Sequence, residues 1–131
     1  MTLDRDSLVA RARRAAENAY APYSGFRVGA VVVDADGTIF EAANVENAAY
    51  PSSSCAEANA VAAAASAGAR DLDTVLVACI DADDVDGAYP CGRCRQIMSE
   101  FDVKRVVVTG ADGSEVREHT LDELLPYRFT L

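Results

Sequence analysis

Apolar residues along this chain recur first at helical spacing and then in short unbroken runs. Leu3, Leu8, Ala12, Ala15, Ala16 and Ala19 fall on one side of a helical wheel, with Arg11, Arg13, Arg14 and Glu17 on the other. That pattern predicts an amphipathic helix over residues 3–19, broken by Pro22, Ser24 and Gly25. A β-branched run predicts a strand over 26–33, Asp34-Ala35-Asp36-Gly37 is a hairpin turn, and 38–45 is the returning strand. Residues 44–54 read as a polar loop whose last serines suit a helix N-cap. The alanine-dominated segment 55–67 is helical up to Gly68. Residues 74–80 are apolar throughout, the pattern of a buried central strand. An acidic loop over 81–89 leads through Pro90, tolerated at a helix start, into a helix over 91–101. A strand at 105–109, a turn at 111–113, a strand at 115–120 and a short helix at 121–125, stopped by Pro126, follow.

The order α-β-β-α-β-α-β-β-α predicts an α/β protein with one mixed sheet and helices on its faces. No repeat, linker or composition shift divides it, so residues 1–131 are expected to form a single domain. The connections through the two middle helices should be right-handed crossovers. If the second and third strands run parallel, both following helices begin at the same sheet edge, where open α/β sheets bind ligands.

Composition narrows the function. The chain has 131 residues, with 12 Lys+Arg against 21 Asp+Glu and a formal charge of −9. Without a basic stripe, that balance argues against nucleic acid and against an anionic membrane surface as partners. The N-terminal residues lack an apolar signal core, and the longest apolar stretch, 60–65, is too short to span a bilayer. A soluble, cytoplasmic protein is expected, so the 4 cysteines are a poor disulfide framework and suit metal or catalysis better.

Cys55 opens one middle helix, and Cys91 and Cys94 open the other. Thiolates are favoured at helix N-termini. Three of them match a catalytic zinc, which keeps three protein ligands and leaves one position to water. Glu57, two residues past Cys55, has two readings of equal weight on local sequence: a partner for the helix dipole, or a general acid/base beside the metal. Cys79, inside the apolar strand, reads as a small core residue. His119, the only histidine, reads as structural or surface. A Cys-x-Glu followed by Pro-Cys-x-x-Cys is the signature of zinc deaminases, in which the Glu is not a ligand.

At this point the chain resembles the cytidine deaminases of the small, homotetrameric, zinc-dependent type. The resemblance runs through residues 21–30 (APYSGFRVGA), 44–48 (NVENA), 55–57 (CAE), 90–96 (PCGRCRQ) and 123–126 (ELLP) followed by Phe129. It implies a three-layer α-β-α fold with a five-stranded mixed sheet, and one Zn2+ held by Cys55, Cys91 and Cys94. It implies hydrolytic deamination of cytidine or 2′-deoxycytidine to uridine or 2′-deoxyuridine plus ammonia, in pyrimidine salvage. Glu57 would shuttle protons, and Asn44 and Glu46 would hold the sugar. Phe26 would pack near the base, the backbone N–H of Ala56 would meet the base carbonyl, and the carbonyl of Tyr89 or Pro90 would receive the leaving amine. Phe129 would reach a neighbouring subunit's site.

Charge adds one expectation. Three thiolates and one Zn2+ sum to −1, which opposes acidifying water, so nearby cations should offset it. Many relatives carry Arg directly after the catalytic Glu, whereas this chain has Ala58 there; Arg93 and Arg95, flanking Cys94, are the candidate replacements. Pro51-Ser52-Ser53-Ser54 departs from the stretch usual in that loop, and Asn59 and Ala60 match loosely. Two rivals remain on the same scaffold: a blasticidin-S-type deaminase and an enzyme for a modified cytidine. A structural zinc module or inactive binding fold is the reading from another class, opposed by the missing fourth ligand and the intact Glu57.

Overall fold

The structure is a computed structural model describing residues 4–131; Met1, Thr2 and Leu3, where the predicted first helix begins, lie outside the described residues. The first helix, α1, is Arg5–Ala16, with the Asp4 carboxylate accepting the Asp6 N–H at its start. It stops short of Ala19 because Tyr20 is drawn to another partner: its N–H donates to the Asn44 carbonyl at 3.0 Å. The strands are β1 (Val28–Asp34), β2 (Ile39–Ala43), β3 (Leu72–Cys79), β4 (Arg105–Gly110) and β5 (Val116–Thr120). Helix α2 is Ala56–Ser66, α3 is Gly92–Glu100 and α4 is Leu121–Leu124. Short 3-10 turns at Tyr50–Ser52 and Val85–Ala88 lie in the two segments read as loops.

The described residues form a five-stranded sheet in the order β2-β1-β3-β4-β5. Strand β1 is antiparallel to both β2 and β3, and β3 is parallel to β4. Strands β2 and β3 therefore point the same way without being neighbours, since β1 lies between them. This satisfies the condition set above: α2 and α3, which follow β2 and β3, start at one edge.

Period-2 alternation along the strands divides the core. Ala30, Val32, Val75, Val77, Val106 and Val108 pack with α2 and α3 through Ala60, Val61, Ala64 and Met98. Val31, Val33, Leu76 and Val107 pack on Leu8, Val9 and Ala12 of α1. The result is the α-β-α sandwich expected. Its α1 layer is thin because the helix meets the sheet at a glycine: a Cβ on Gly29 would lie 1.9 Å from the Ala12 carbonyl oxygen and 2.6 Å from the Ala16 nitrogen.

Strand β1 begins later than Phe26 because side chains take over the ladder's bonds. The Asp81 carboxylate accepts the Arg27 N–H at 2.8 Å and pairs with its guanidinium at 2.9 Å. Asn44 accepts the Val28 N–H at 2.8 Å and donates to the Phe26 carbonyl at 2.9 Å.

Two consequences can be measured. Gly29→Ala must push α1 off the sheet, and should cost about 1–3 kcal/mol and several degrees of thermal midpoint; an unchanged midpoint would contradict the packing. The Arg27 guanidinium holds the Asp81 carboxyl down at about 2, against 3.8 ordinarily. The folded state thus binds this proton less readily than the unfolded chain, so the pair stabilises fully above the ordinary value and fades as pH falls through about 2. Asp81→Asn should destabilise at neutral pH by about 1 kcal/mol or less, with the gap to the parent narrowing between pH 4 and pH 2 in denaturant titrations.

Candidate active site

Helices α2 and α3 start in the same unusual way. Cys55 is the N-cap of α2 and Cys91 the N-cap of α3, and neither cap side chain bonds to the helix backbone. The serines ahead of α2 do not cap it. Ser54 instead bonds the Asn59 side chain, whose amide donates to the Ala43 carbonyl at 2.8 Å and ties α2 to the end of β2. Pro90 lies one residue before the cap rather than in the first helical turn. Leaving a cap without a polar side chain costs about 1 kcal/mol. Here it leaves sulfur and unsatisfied backbone N–H groups together at both starts.

The Sγ atoms of Cys55, Cys91 and Cys94 all lie within 4.8 Å of one another. Zinc–sulfur bonds of about 2.3 Å in tetrahedral array place sulfurs about 3.8 Å apart, so the cluster fits one zinc with small adjustments. Cys55 is lowered to about 6, chiefly by a hydrogen bond from Cys94, with Cys91 and the Arg93 charge assisting. Cys94 is driven strongly upward as the partner that keeps its proton. Binding a divalent ion would release that shared proton.

Glu57, in the first turn of α2, is only 5% exposed. Burial pushes its carboxyl up to about 7, with the Cys55 thiolate adding and the Cys94 thiol opposing. It lines a hollow of about 270 Å3 with Phe26, Cys55, Ala56, Cys79, Tyr89 and Cys91. An adjoining hollow of about 660 Å3 shares Ser24, Asn44, Glu46 and Cys55 with it and adds Tyr23, Tyr50 and Arg93. A metal-sized thiol cluster, a buried carboxyl and a larger antechamber thus adjoin one another.

Most of the candidate residues converge here. Asn44 and Glu46 border both hollows. The Asn44 amide is already committed to Phe26 and Val28, so it also fixes the ring wall. Ala56, fully buried, is the first residue of α2. Arg93 stands beside Cys55. Arg95 is placed differently: its guanidinium donates to the Pro90 carbonyl at 2.8 Å and the Leu124 carbonyl at 2.7 Å, pinning the turn before Cys91 to α4. Phe129 is 67% exposed and lines neither hollow; its carbonyl accepts from Gln96 at 3.3 Å. His119 is apart from the thiols, hydrogen-bonded to the Tyr89 hydroxyl at 2.8 Å. Cys79 is buried, its thiol raised to about 12 by desolvation and bonded to the Ala88 carbonyl. It is a core residue that also floors the inner hollow.

Two contributors went unassigned in the sequence. Asn59 carried a detectable signal, an amide inside an alanine helix. Ser24 lies inside the 21–30 motif, whose spacing gives it no role of its own.

Residues 3–110 match the family described as the cytidine and deoxycytidylate deaminase zinc-binding region. The chain is 42% identical over 131 residues to a cytidine deaminase of Halalkalibacterium halodurans, covering 98% of this chain and 96% of the relative. A cytidine deaminase of Sporosarcina psychrophila is 39% identical over 130 residues, covering 98% of this chain and 93% of that one. The crystal structure of cytidine deaminase from Burkholderia pseudomallei superimposes with a TM-score of 0.88 at 38% identity, over 97% of this chain and 100% of that chain. What the thiol cluster, the buried carboxyl and the sandwich suggest separately the matches state together, and this chain belongs to the cytidine and deoxycytidylate deaminase family.

Proposed function

We propose that this chain is a zinc-dependent hydrolase that converts cytidine or 2′-deoxycytidine to the uridine nucleoside and ammonia, as one domain over residues 1–131. The observation that carries it is the buried Glu57 sharing a small hollow with two of three thiols poised for a metal. When bound, zinc supplies the electrophile that makes water acidic enough to serve as a nucleophile near neutral pH.

The chain's own groups do the rest. Glu57 takes a proton from water and delivers it to ring N3 as the remaining hydroxide adds to C4; it then takes the proton of that new C4 hydroxyl and passes it to the exocyclic amine, and the C4–N bond breaks to release ammonia. Burial of Glu57 excludes competing solvent, so the proton passes between carboxyl and substrate. Phe26 packs on the base and the Ala56 N–H, at the start of α2, donates to the base carbonyl. Asn44 and Glu46 hold the sugar hydroxyls at the outer hollow. The carbonyl of Tyr89 or Pro90 receives the leaving amine; the Pro90 oxygen already accepts one bond, from Arg95.

Arg93 offsets the −1 charge of three thiolates with one divalent ion, in place of the Arg absent at Ala58. Its position beside Cys55 supports this role, whereas the Arg95 donors are spent on backbone. The large exposed side chains Tyr50 (87%) and Phe129 (67%) support assembly into a homotetramer in which Phe129 completes a neighbour's site. Among the described residues no helix is long and apolar enough to cross a membrane, and the reading places the enzyme in the cytoplasm, in pyrimidine salvage.

Two measurements test these assignments. Purified protein should carry about one zinc per chain and bleach cytidine absorbance with ammonia release; Glu57→Gln should keep the zinc and lose about 10^2- to 10^4-fold in kcat. Turnover surviving in Glu57→Gln would remove the proton shuttle, and zinc without turnover in the parent would favour a structural site. Arg93→Ala should give up zinc to a chelator faster than the parent, with Arg93→Lys intermediate; identical zinc retention would sink the charge argument.

A further inference from the structure

Ser24 lies in the Ala21–Gly25 turn ahead of β1, a segment that the mechanism above does not use. Its hydroxyl has one hydrogen and spends it on Glu46 Oε2. The Ser24 hydroxyl oxygen in turn accepts the Phe26 N–H at 3.0 Å. The Ser24 N–H also donates to Glu46 Oε1 at 3.1 Å, and the Tyr23 N–H joins it at 3.0 Å. The carboxylate is therefore gripped at both oxygens, and one of the three grips is a side chain that also bonds the backbone of Phe26. Ser24 borders both hollows, so this link sits where the base compartment meets the sugar compartment.

We propose that Ser24 is a positioning residue that sets the distance between base and sugar recognition, by locking the Glu46 carboxylate to the backbone of Phe26. The physical argument is one of freedom. A glutamate side chain has three rotatable bonds, and without restraint its oxygens sweep through several ångströms of the antechamber. With Oε2 tied to Ser24 and Oε1 to two backbone N–H groups, its remaining lone pairs face a fixed direction. A sugar hydroxyl presented at one distance from the base then meets an acceptor already in place, and the ordering cost is met before the substrate arrives. The hydroxyl holds the carboxylate in its ionised form as well, lying first among the contacts that keep Glu46 below its ordinary value.

The proposal rests on the reading of Glu46 as the sugar contact, and the experiment separates the two. Cytidine and 2′,3′-dideoxycytidine, which lacks both lower-edge hydroxyls, are compared as substrates for the holoenzyme and for Ser24→Ala, Ser24→Thr and Glu46→Gln. Zinc content and thermal midpoint are recorded alongside. Ser24→Ala is expected to raise KM for cytidine about tenfold with kcat within about twofold, to leave dideoxycytidine unchanged, and to be rescued in large part by Ser24→Thr. In the Glu46→Gln background the serine change should add little, because its partner is already altered. An equal loss on both substrates would mean that Ser24 merely holds the turn together, and would overturn the proposal. Glu46→Gln acting on cytidine alone while Ser24→Ala acts on neither would overturn it too, leaving the Glu46 reading intact. Glu46→Gln failing to distinguish the substrates would remove the Glu46 reading, and this proposal with it.

Discussion

Two helices that begin at one edge of a sheet, each capped by a cysteine, hold this molecule's chemistry together. Sulfur atoms attached to residues far apart in sequence meet within 4.8 Å because the strands feeding those helices point the same way. Had β2 joined β3 directly as an antiparallel hairpin, α2 would have no reason to start beside α3. The insertion of β1 between them keeps the strand directions matched. The helix starts then add what a polar cap would have consumed: N–H groups that favour thiolates.

Around that junction the sequence spends its polar residues on placement. Asn44 fixes Phe26 and Val28, Asn59 fixes Ala43, Arg95 fixes Pro90, and Ser24 fixes Glu46. Each of these bonds ties a side chain to a loop or to the end of a strand. Where the core does not bury a loop, ties of this kind hold it to the accuracy that recognition needs. The thinness of the α1 layer serves the same economy. Gly29 and the alanines of α1 bring that helix close against the sheet face opposite α2 and α3.

Electrostatics divides the outer surface from the inner site. The chain carries a net charge of −9, yet Arg93 stands by the cluster and Arg27 neutralises Asp81 at the strand end. A neutral nucleoside gains nothing from long-range steering, so the acidic exterior does not oppose its entry. Recognition rests on short-range contacts that a low-dielectric hollow strengthens.

The zinc motifs, the strand alternation and the acidic balance were legible in the linear order of residues, because each is local: a cap, a period of two, a count. Five strands and the helices between them follow from that locality, with errors of a few residues at their ends. Those ends were set by bonds to distant partners, as when Asp81 took the Arg27 N–H and Asn44 replaced a rung of the ladder. The two readings of Glu57, dipole partner or proton carrier, share one spacing, and its burial is a fact of the tertiary structure alone. Which of Arg93 and Arg95 faces the thiols, and that Ser24 touches Glu46 at all, depends on how loops from separate strands fold over one edge. Long-range closure of that kind leaves no trace in spacing, since it is decided by packing between segments rather than by preferences within them.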